Sequence, residues 1–184
     1  MHAHIHSPIV RAKRAVGFIL AAILMVVAGC TTTPSALDST TTVILVCHAE
    51  RADASRDSAL SPPGHARAQD LAAYLLPIHL DAIHSTDYRR TRDTAQPTAN
   101  ARGLEIELYD PRQLDALAAA VIAAGGTHLV VGHSNTTPDA VAAFGGDPGA
   151  PIDDATEFDR LYVLTIDANG HVMTAIRRFG APSP

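Results

Sequence analysis

The sequence predicts a three-layer α/β/α domain, in which helices cover both faces of a mostly parallel sheet and an antiparallel C-terminal hairpin lies at its edge. Three observations predict this fold. Strand-like apolar runs alternate with helical segments, two of the strands end directly in a histidine, and the last two strands flank Asn169-Gly170. Alternating strands and helices form parallel sheets, whereas a short Asn-Gly connection, here expected to be a type I′ turn, joins antiparallel strands.

The first strand is predicted at residues 42–47, where five apolar and mostly β-branched residues follow Thr42. A continuous run of this kind is typical of a strand that is buried on both faces. The run leads directly into His48. Because ligands of α/β proteins bind outside the carboxyl ends of the strands, His48 lies where a reactive side chain is expected.

The later elements are predicted from helical spacing and from turn residues. Ser61 is placed to cap a helix that ends before Pro77. Asp87 is predicted to cap a second helix, which stops at Gly103. The remaining strands are predicted at 82–84, 104–108, 127–132, 161–167 and 171–179, and the remaining helices at 115–124 and 137–144.

The composition is that of one globular domain. A chain of 184 residues can bury one sizeable core, and an apolar content of 47% excludes a disordered chain. The net charge is −5, and no lysine follows Lys13. An acidic body without lysine argues against binding nucleic acid through its phosphates. Any anion site in this body must therefore be built from arginine, histidine and backbone N–H groups.

The N-terminus resembles the export signal of a bacterial lipoprotein. Arg11, Lys13 and Arg14 precede an apolar run at 16–28, which is shorter than the roughly 20 residues of a membrane span. The run closes with Val-Ala-Gly before Cys30, a pattern similar to the lipobox, in which the cysteine is lipidated and becomes the first mature residue. A plain signal peptide and an uncleaved anchor are the alternatives.

The predicted organisation is a signal peptide at 1–29, a lipidated cysteine with a polar tether at 30–41, and a domain at 42–184. Under the sorting rule for lipoproteins, Thr31 in place of an aspartate predicts attachment to the periplasmic face of the outer membrane. With the first cysteine acylated, Cys47 has no partner for an intramolecular disulfide and is expected to be a free thiol.

Four stretches carry the residues that are suited to chemistry, and they occur in a fixed order. They are Cys47-His48 at the first strand end, Leu-Ser-Pro-Pro-Gly at 60–64, Ser-Thr-Asp-Tyr-Arg-Arg-Thr-Arg-Asp-Thr-Ala at 85–95, and Val-Val-Gly-His-Ser-Asn at 130–135. In this order they resemble the signatures of the histidine phosphatase superfamily, also called the phosphoglycerate mutase-like superfamily. The resemblance spans about residues 42–180.

The resemblance implies phosphoryl transfer through a phosphohistidine. His48 matches the nucleophile, His133 the second histidine and Arg90 the arginine of the third stretch, with Ser134 as a further hydrogen-bond donor. In this chemistry an imidazole nitrogen attacks phosphorus, water hydrolyses the P–N bond, and guanidinium groups stabilise the phosphoryl oxygens. No cofactor or metal ion is implied. A hydrogen-bonded structural role is the alternative for each histidine.

One position departs from the signature, because the arginine expected before the first histidine is Cys47. Cys47 thus takes the place of a charged group in the phosphate site. Losing a charged hydrogen bond costs roughly 1.5–3 kcal/mol, and losing a transition-state donor costs about 10²–10³ in rate. The sequence therefore predicts impaired catalysis. Arg51 is a candidate to supply the missing charge, and a solvated loop position is the alternative for it.

The proton donor has three candidates. Asp110 follows the third predicted strand, where an acidic residue often serves in the family that the chain resembles, and Glu50 and Asp53 lie near His48. Each of them is equally explained as a surface carboxylate. None of the seven histidines of the predicted domain at 42–184 forms a pair with the spacing of a metal site, so no metal ligands are predicted.

These observations predict a lipid-anchored phosphomonoesterase that acts on a phosphorylated substrate. A second hypothesis is a catalytically degenerate relative that binds phosphorylated ligands or protein partners without turnover. Cys47 favours the second hypothesis, whereas His48, Arg90 and His133 favour the enzyme.

Overall fold

The described part of the chain is built on a six-stranded sheet with two helices on each face. The structure, a computed structural model, describes Met1 and residues 40–183. Residues 40–183 fall within one compact unit. The predicted signal peptide at 1–29, the lipidation site at Cys30 and all but the end of the tether at 30–41 lie outside the described residues. None of the helices that the structure describes combines the length and the apolar character needed to cross a membrane.

Strands and helices alternate until the C-terminal hairpin, as the sequence predicts. The elements are β1 (Thr41–Cys47), α1 (Pro62–Leu75), β2 (Ala82–Thr86), α2 (Arg89–Arg102), β3 (Ile106–Tyr109), α3 (Leu114–Ala124), β4 (Gly126–Gly132), α4 (Thr136–Ala143), β5 (Arg160–Ile166) and β6 (Val172–Arg178). The strand order is β3-β2-β4-β1-β5-β6. The first four strands in this order are parallel, while β5 and β6 run antiparallel at one edge. The predicted fold class is confirmed.

The register of β1 and β4 positions the two predicted site histidines. Cys47 is paired with Gly132 at the carboxyl ends of these strands, and the backbone N–H of His48 donates to the carbonyl of Gly132 at 3.0 Å. His48 and His133 are the next residues of the two strands. Because the strands are parallel neighbours, both histidines leave the sheet at the same edge.

Alternate residues of β1 pack into separate cores on the two faces of the sheet. Val43, Leu45 and Cys47 contribute to the core under α3 and α4, whereas Ile44 and Val46 contribute to the core under α1 and α2. This is the period of two expected for a strand. Cys47 is therefore part of an apolar core, a placement that bears on its predicted role.

The helix caps are only partly as predicted. Ser61 caps α1, and its hydroxyl accepts from the backbone N–H of Gly64 at 3.2 Å. The prediction that Asp87 caps α2 is wrong, since the N-cap is Tyr88. The backbone N–H of Arg89 instead donates to the carboxylate of Asp57 at 2.7 Å, from the loop before α1. A carboxylate at this helix end complements the helix dipole equally well.

The hairpin between β5 and β6 is confirmed, but its turn is not the predicted type I′. That turn requires a positive φ at both central residues, and among the described residues only glycines have one. Gly170 adopts a φ of 80°. The side chain of Asp167 stabilises the turn by accepting from the backbone N–H groups of Asn169 at 2.8 Å and His171 at 2.9 Å.

Candidate active site

A cavity of about 590 Å³ opens where β1 and β4 end. Five of the residues predicted for the site line it, namely His48, Arg51, Arg90, His133 and Ser134. The other lining residues are Tyr88, Pro111, Arg112, Asn135, Thr136 and Asp154. Cys47 and Asp110 do not line it. The fold thus gathers side chains from five separate segments around one opening.

The imidazole of His48 is held by the backbone that follows it. Its Nδ1 lies 2.8 Å from the carbonyl oxygen of Ala49. Because a carbonyl can only accept, Nδ1 carries the proton and Nε2 keeps its lone pair. The side chain is almost completely buried, and burial lowers the pKa of His48 to about 4. At neutral pH, His48 therefore presents an uncharged nitrogen that can act as a nucleophile.

The ring of His133 lies edge-on to that of His48, with centroids 5.4 Å apart. Its Nε2 is 2.9 Å from the hydroxyl of Thr86, and its Nδ1 is 3.2 Å from Nη2 of Arg90. Arginine can only donate, so Nδ1 accepts from it and Nε2 donates to the threonine. Burial, followed by the nearby charge of Arg90, lowers the pKa of His133 to about 3. His133 is thus neutral and orients the guanidinium of Arg90.

Arg90 lies in the first turn of α2, and several neighbouring groups fix the position of its guanidinium. Its Nη1 donates to the carbonyl of Arg56 at 2.8 Å, and its guanidinium stacks 4.6 Å from the ring centroid of Tyr88. Its Nε is buried and has no acceptor among the described residues. The ring of Tyr88 also meets His133 edge-on at 5.0 Å. A fixed guanidinium at a helix N-terminus is well suited to bind an anion.

Arg51 reaches the same cavity from the loop after β1. Its Nη2 forms an ion pair with Asp154 at 3.0 Å, and the other carboxylate oxygen of Asp154 accepts from the hydroxyl of Ser134 at 2.7 Å. The arginine is about one-third exposed and the carboxylate about half exposed. These three residues form a polar link across the cavity between segments that are distant in sequence.

Cys47 is placed differently from what the sequence suggests. Its side chain is 5% exposed, belongs to the core under α3 and α4, and donates to the hydroxyl of Thr137 at 3.6 Å. Burial raises the pKa of the Cys47 thiol to about 12. The thiol is therefore neutral and does not line the cavity, so its geometry provides no phosphate contact.

None of the three candidate proton donors lines the cavity. Asp110 forms an ion pair with the exposed Arg112 at 2.7 Å, and hydrogen bonds from that residue lower the pKa of Asp110 to about 2. Glu50 binds the buried guanidinium of Arg67 at 2.7 Å. Asp53 accepts from the backbone N–H of Ser55 within its own loop. Each carboxylate thus has a local structural partner.

Sequence reasoning missed several residues that line the cavity, among them three with polar or charged side chains that bear on its chemistry. Asp154 lies in the segment between α4 and β5, which carries no motif. The sequence marks Asp154 only as one residue of a polar loop. Tyr88 is two residues before Arg90, and this position near a candidate arginine is the one feature of the sequence that points to it. Arg112 is two residues beyond Asp110, and no motif marks its position.

A second histidine pair is buried elsewhere on the sheet, between β2 and β4. Nε2 of His84 is 2.9 Å from Nδ1 of His128, and the rings stack with an interplanar angle of 14°. His128 also binds the carbonyl of Gly125 at 2.7 Å, and His84 lies 3.4 Å from Glu107. In the part of the chain that the structure describes, no group of three or more His, Cys, Asp or Glu residues is arranged to hold a metal ion.

Part of the chain matches the model of one protein family, and solved structures with a similar fold are also found. Residues 43–112, which include His48 and Arg90, match the model of the histidine phosphatase superfamily (branch 1). No curated protein sequence matches the chain.

Solved structures of phosphatases resemble the chain over most of its length. The protein histidine phosphatase SixA, solved with tungstate, superposes with a TM-score of 0.61 at 18% identity, covering 75% of this chain and 97% of that one. The SixA structure from Agrobacterium tumefaciens gives 0.57 at 25% identity, covering 77% and 99%. Mycobacterial glucosyl-3-phosphoglycerate phosphatase gives 0.58 at 15% identity, covering 77% and 99%. At such identities the likeness establishes the fold.

Proposed function

We propose that this protein is a phosphomonoesterase that transfers a phosphoryl group to His48 and then to water. The observation that carries the proposal is the state of His48, whose Nε2 keeps its lone pair in a cavity that also contains the guanidinium groups of Arg51 and Arg90. A neutral imidazole is required for attack on phosphorus. Positive charge near the equatorial oxygens stabilises the transition state.

The comparisons support this choice of reaction. The family match covers the segment that holds the proposed nucleophile and Arg90. The similar structures include a protein histidine phosphatase that was solved with tungstate, a tetrahedral oxyanion like phosphate. The substrate class that fits the cavity is a phosphate monoester, because arginine side chains line the cavity beside a nitrogen nucleophile. The proposed reaction needs no cofactor.

In this proposal Arg51 supplies the positive charge that position 47 lacks. Cys47 is neutral and packed in the core, whereas Arg51 lines the cavity together with His48. A guanidinium that is about one-third exposed and already bound to a carboxylate stabilises an anion less than a dedicated one. We therefore expect catalysis that is slower than in a site with an arginine at the strand end.

The position of the protein in the cell is a separate proposal that rests on the leader sequence. We infer that the chain is exported, lipidated at Cys30 and anchored to the periplasmic face of the outer membrane. Radiolabelled palmitate is expected to enter the wild-type protein and not the Cys30→Ser variant. Incorporation that persists in Cys30→Ser would contradict the lipobox assignment.

The burial of Cys47 favours one alternative, a degenerate relative that binds phosphorylated ligands or protein partners without turnover. Quenching the full chain during reaction with a radiolabelled aryl phosphate distinguishes the two functions. The enzyme is expected to retain an acid-labile, alkali-stable phosphate, the property of a phosphohistidine, and to lose it in His48→Ala. His65→Ala is the matched control, since His65 is exposed on α1. A wild-type protein that is neither labelled nor faster than His48→Ala would support the binder.

A further inference from the structure

We propose that Asp154 is the residue that exchanges protons with the substrate and with water, a role that the sequence suggested for Asp110. The inference rests on the proposed function. Asp154 is the one carboxylate among the described residues that line the cavity. Asp110, Glu50 and Asp53 do not line it and are bound to Arg112, Arg67 and the backbone of Ser55.

The placement of Asp154 is specific to the cavity and follows from two side chains that are also part of it. Ser134 follows His133 directly, and its hydroxyl donates to one oxygen of the carboxylate at 2.7 Å. Arg51 is three residues beyond His48, and it binds the other oxygen at 3.0 Å. The carboxylate is thus held from both sides by the segments that carry the two histidines. It remains about half exposed, so substrate and water can reach it.

The ion pair with Arg51 couples phosphate binding to the proton affinity of Asp154. The hydrogen bond from Ser134 and the charge of Arg51 hold the pKa of Asp154 below its ordinary value. A bound phosphoryl group competes for the same guanidinium and brings negative charge of its own. Both changes raise the pKa of a carboxyl group. Substrate binding therefore makes the carboxyl more able to hold a proton when a donor is needed.

The proton balance closes over one turnover. In the first step Nε2 of His48 forms a bond to phosphorus, the bond from phosphorus to the leaving oxygen breaks, and that oxygen takes the proton of the Asp154 carboxyl. In the second step a water oxygen bonds to phosphorus, the P–N bond breaks, and its electron pair returns to Nε2. The carboxylate takes the proton of the water and is ready for the next substrate.

The leaving group provides the test. Phenyl phosphate releases an oxygen that needs a proton, whereas dinitrophenyl phosphate releases a phenolate that does not. For the full chain, Asp154→Asn is expected to lower kcat/KM for phenyl phosphate by about 10²–10⁴-fold and to lower that for dinitrophenyl phosphate far less. The same variant is expected to accumulate the phosphoenzyme from dinitrophenyl phosphate, because water is no longer deprotonated.

Two further variants separate proton transfer from a structural role. Asp110→Asn is the matched control and is expected to leave both rates unchanged. Ser134→Ala loosens the carboxylate without removing it and is expected to lower the rate on phenyl phosphate by less than Asp154→Asn does. Equal losses on the two substrates in Asp154→Asn would overturn the proposal, and so would a selective loss in Asp110→Asn. A wild-type protein no faster than His48→Ala on either substrate would instead overturn the proposed function itself.

Discussion

Two histidine pairs lie on this sheet, and one member of each is on β4 or directly after it. His133 follows the carboxyl end of β4 and meets His48, while His128 lies near the beginning of the same strand and stacks on His84. None of the four histidines is more than 7% exposed. The pairs differ in what their nitrogens bind and in the charges that surround them.

In the first pair a nitrogen remains available for chemistry, because Nδ1 of His48 is bound by a carbonyl and Nε2 is not. Three arginines, Arg51, Arg90 and Arg112, line the cavity beside it. In the second pair the rings bind each other and their outer nitrogens face the carbonyl of Gly125 and the carboxylate of Glu107.

The second pair also lines a cavity, of about 550 Å³, but no arginine is among the residues around it. The comparison teaches that burial and residue type do not distinguish a reactive histidine from a structural one. The hydrogen-bond partner of each nitrogen and the sign of the nearby charge make that distinction.

The sharpest test of the contrast replaces His128 of β4 and His133, which directly follows it. His133→Ala is expected to lower kcat/KM by about 10²–10³-fold, because Arg90 loses the ring that orients it. His128→Ala is expected to leave the rate per folded molecule unchanged and to lower the free energy of unfolding by about 1–3 kcal/mol, since His84 loses a buried partner. Aryl phosphate kinetics and urea unfolding measure the two effects. A loss of rate in His128→Ala would remove the distinction between the pairs.

The charge around the first pair is tested next. Arg51→Ala is expected to lower kcat/KM by about 10²-fold, since it removes one of the proposed stabilisers of the phosphoryl oxygens. Arg112→Ala is the matched control, because Arg112 also lines the cavity but its side chain is 86% exposed and bound to Asp110. We expect little change in its rate. Equal losses in the two variants would mean that net positive charge, and not the position of Arg51, drives catalysis.

Stability below neutral pH is the third test. Burial lowers the pKa of His48 to about 4 and that of His133 to about 3, so the unfolded chain takes up protons below its ordinary histidine pKa while the folded chain does not. The two histidines therefore do not reduce the free energy of unfolding above about pH 6.5, and they reduce it progressively as the pH falls toward 4. The expected slope is about 1.4 kcal/mol per pH unit for each histidine. Urea unfolding from about pH 7 to about pH 5 measures it, and His133→Asn should reduce the slope.

The smallest expected effect concerns the carboxylate beside the second pair. Glu107 is 63% exposed and lies 3.4 Å from His84. Burial lowers the pKa of His84, so at neutral pH its ring is uncharged and the contact is weaker than an ion pair. Because even an exposed ion pair contributes only about 0–1 kcal/mol, Glu107→Gln is expected to change the free energy of unfolding by no more than that and to leave the rate unchanged. Thermal unfolding and aryl phosphate kinetics measure both. A larger decrease in the free energy of unfolding would show that the second pair depends on the charge of Glu107 for its stability.

Local signals predicted much of the fold. The apolar run of β1 and the cap at Ser61 are as predicted, because burial of a continuous run and satisfaction of N–H groups at a helix start depend on nearby residues. The cap of α2 was missed, since Asp57 reaches Arg89 from 32 residues away. The turn at Asn169-Gly170 was also mistaken, because Asp167 stabilises a different backbone arrangement.

The sequence also predicted part of the candidate site. His48, Arg90 and His133 come together as expected, because they follow or begin elements whose order the alternating pattern predicts. Asp154 could not be found, since it belongs to a loop without a motif and meets Arg51 only in the folded chain. The sequence likewise does not determine which face of the sheet the Cys47 side chain lies on. A strand alternates its side chains, but its pattern does not say which face lies under α3 and α4.

The order of residues along the chain was sufficient to determine an α/β domain with two histidines at neighbouring strand ends and an arginine at a helix start. These features depend on hydrophobic period and on strand-end position, both of which are properties of short segments. Tertiary structure decided that Nδ1 of His133 accepts from Arg90, that Cys47 lies in the core, and that Asp154 binds Arg51. Each of these depends on contacts between groups that are distant in sequence, and such contacts exist only once the chain has packed.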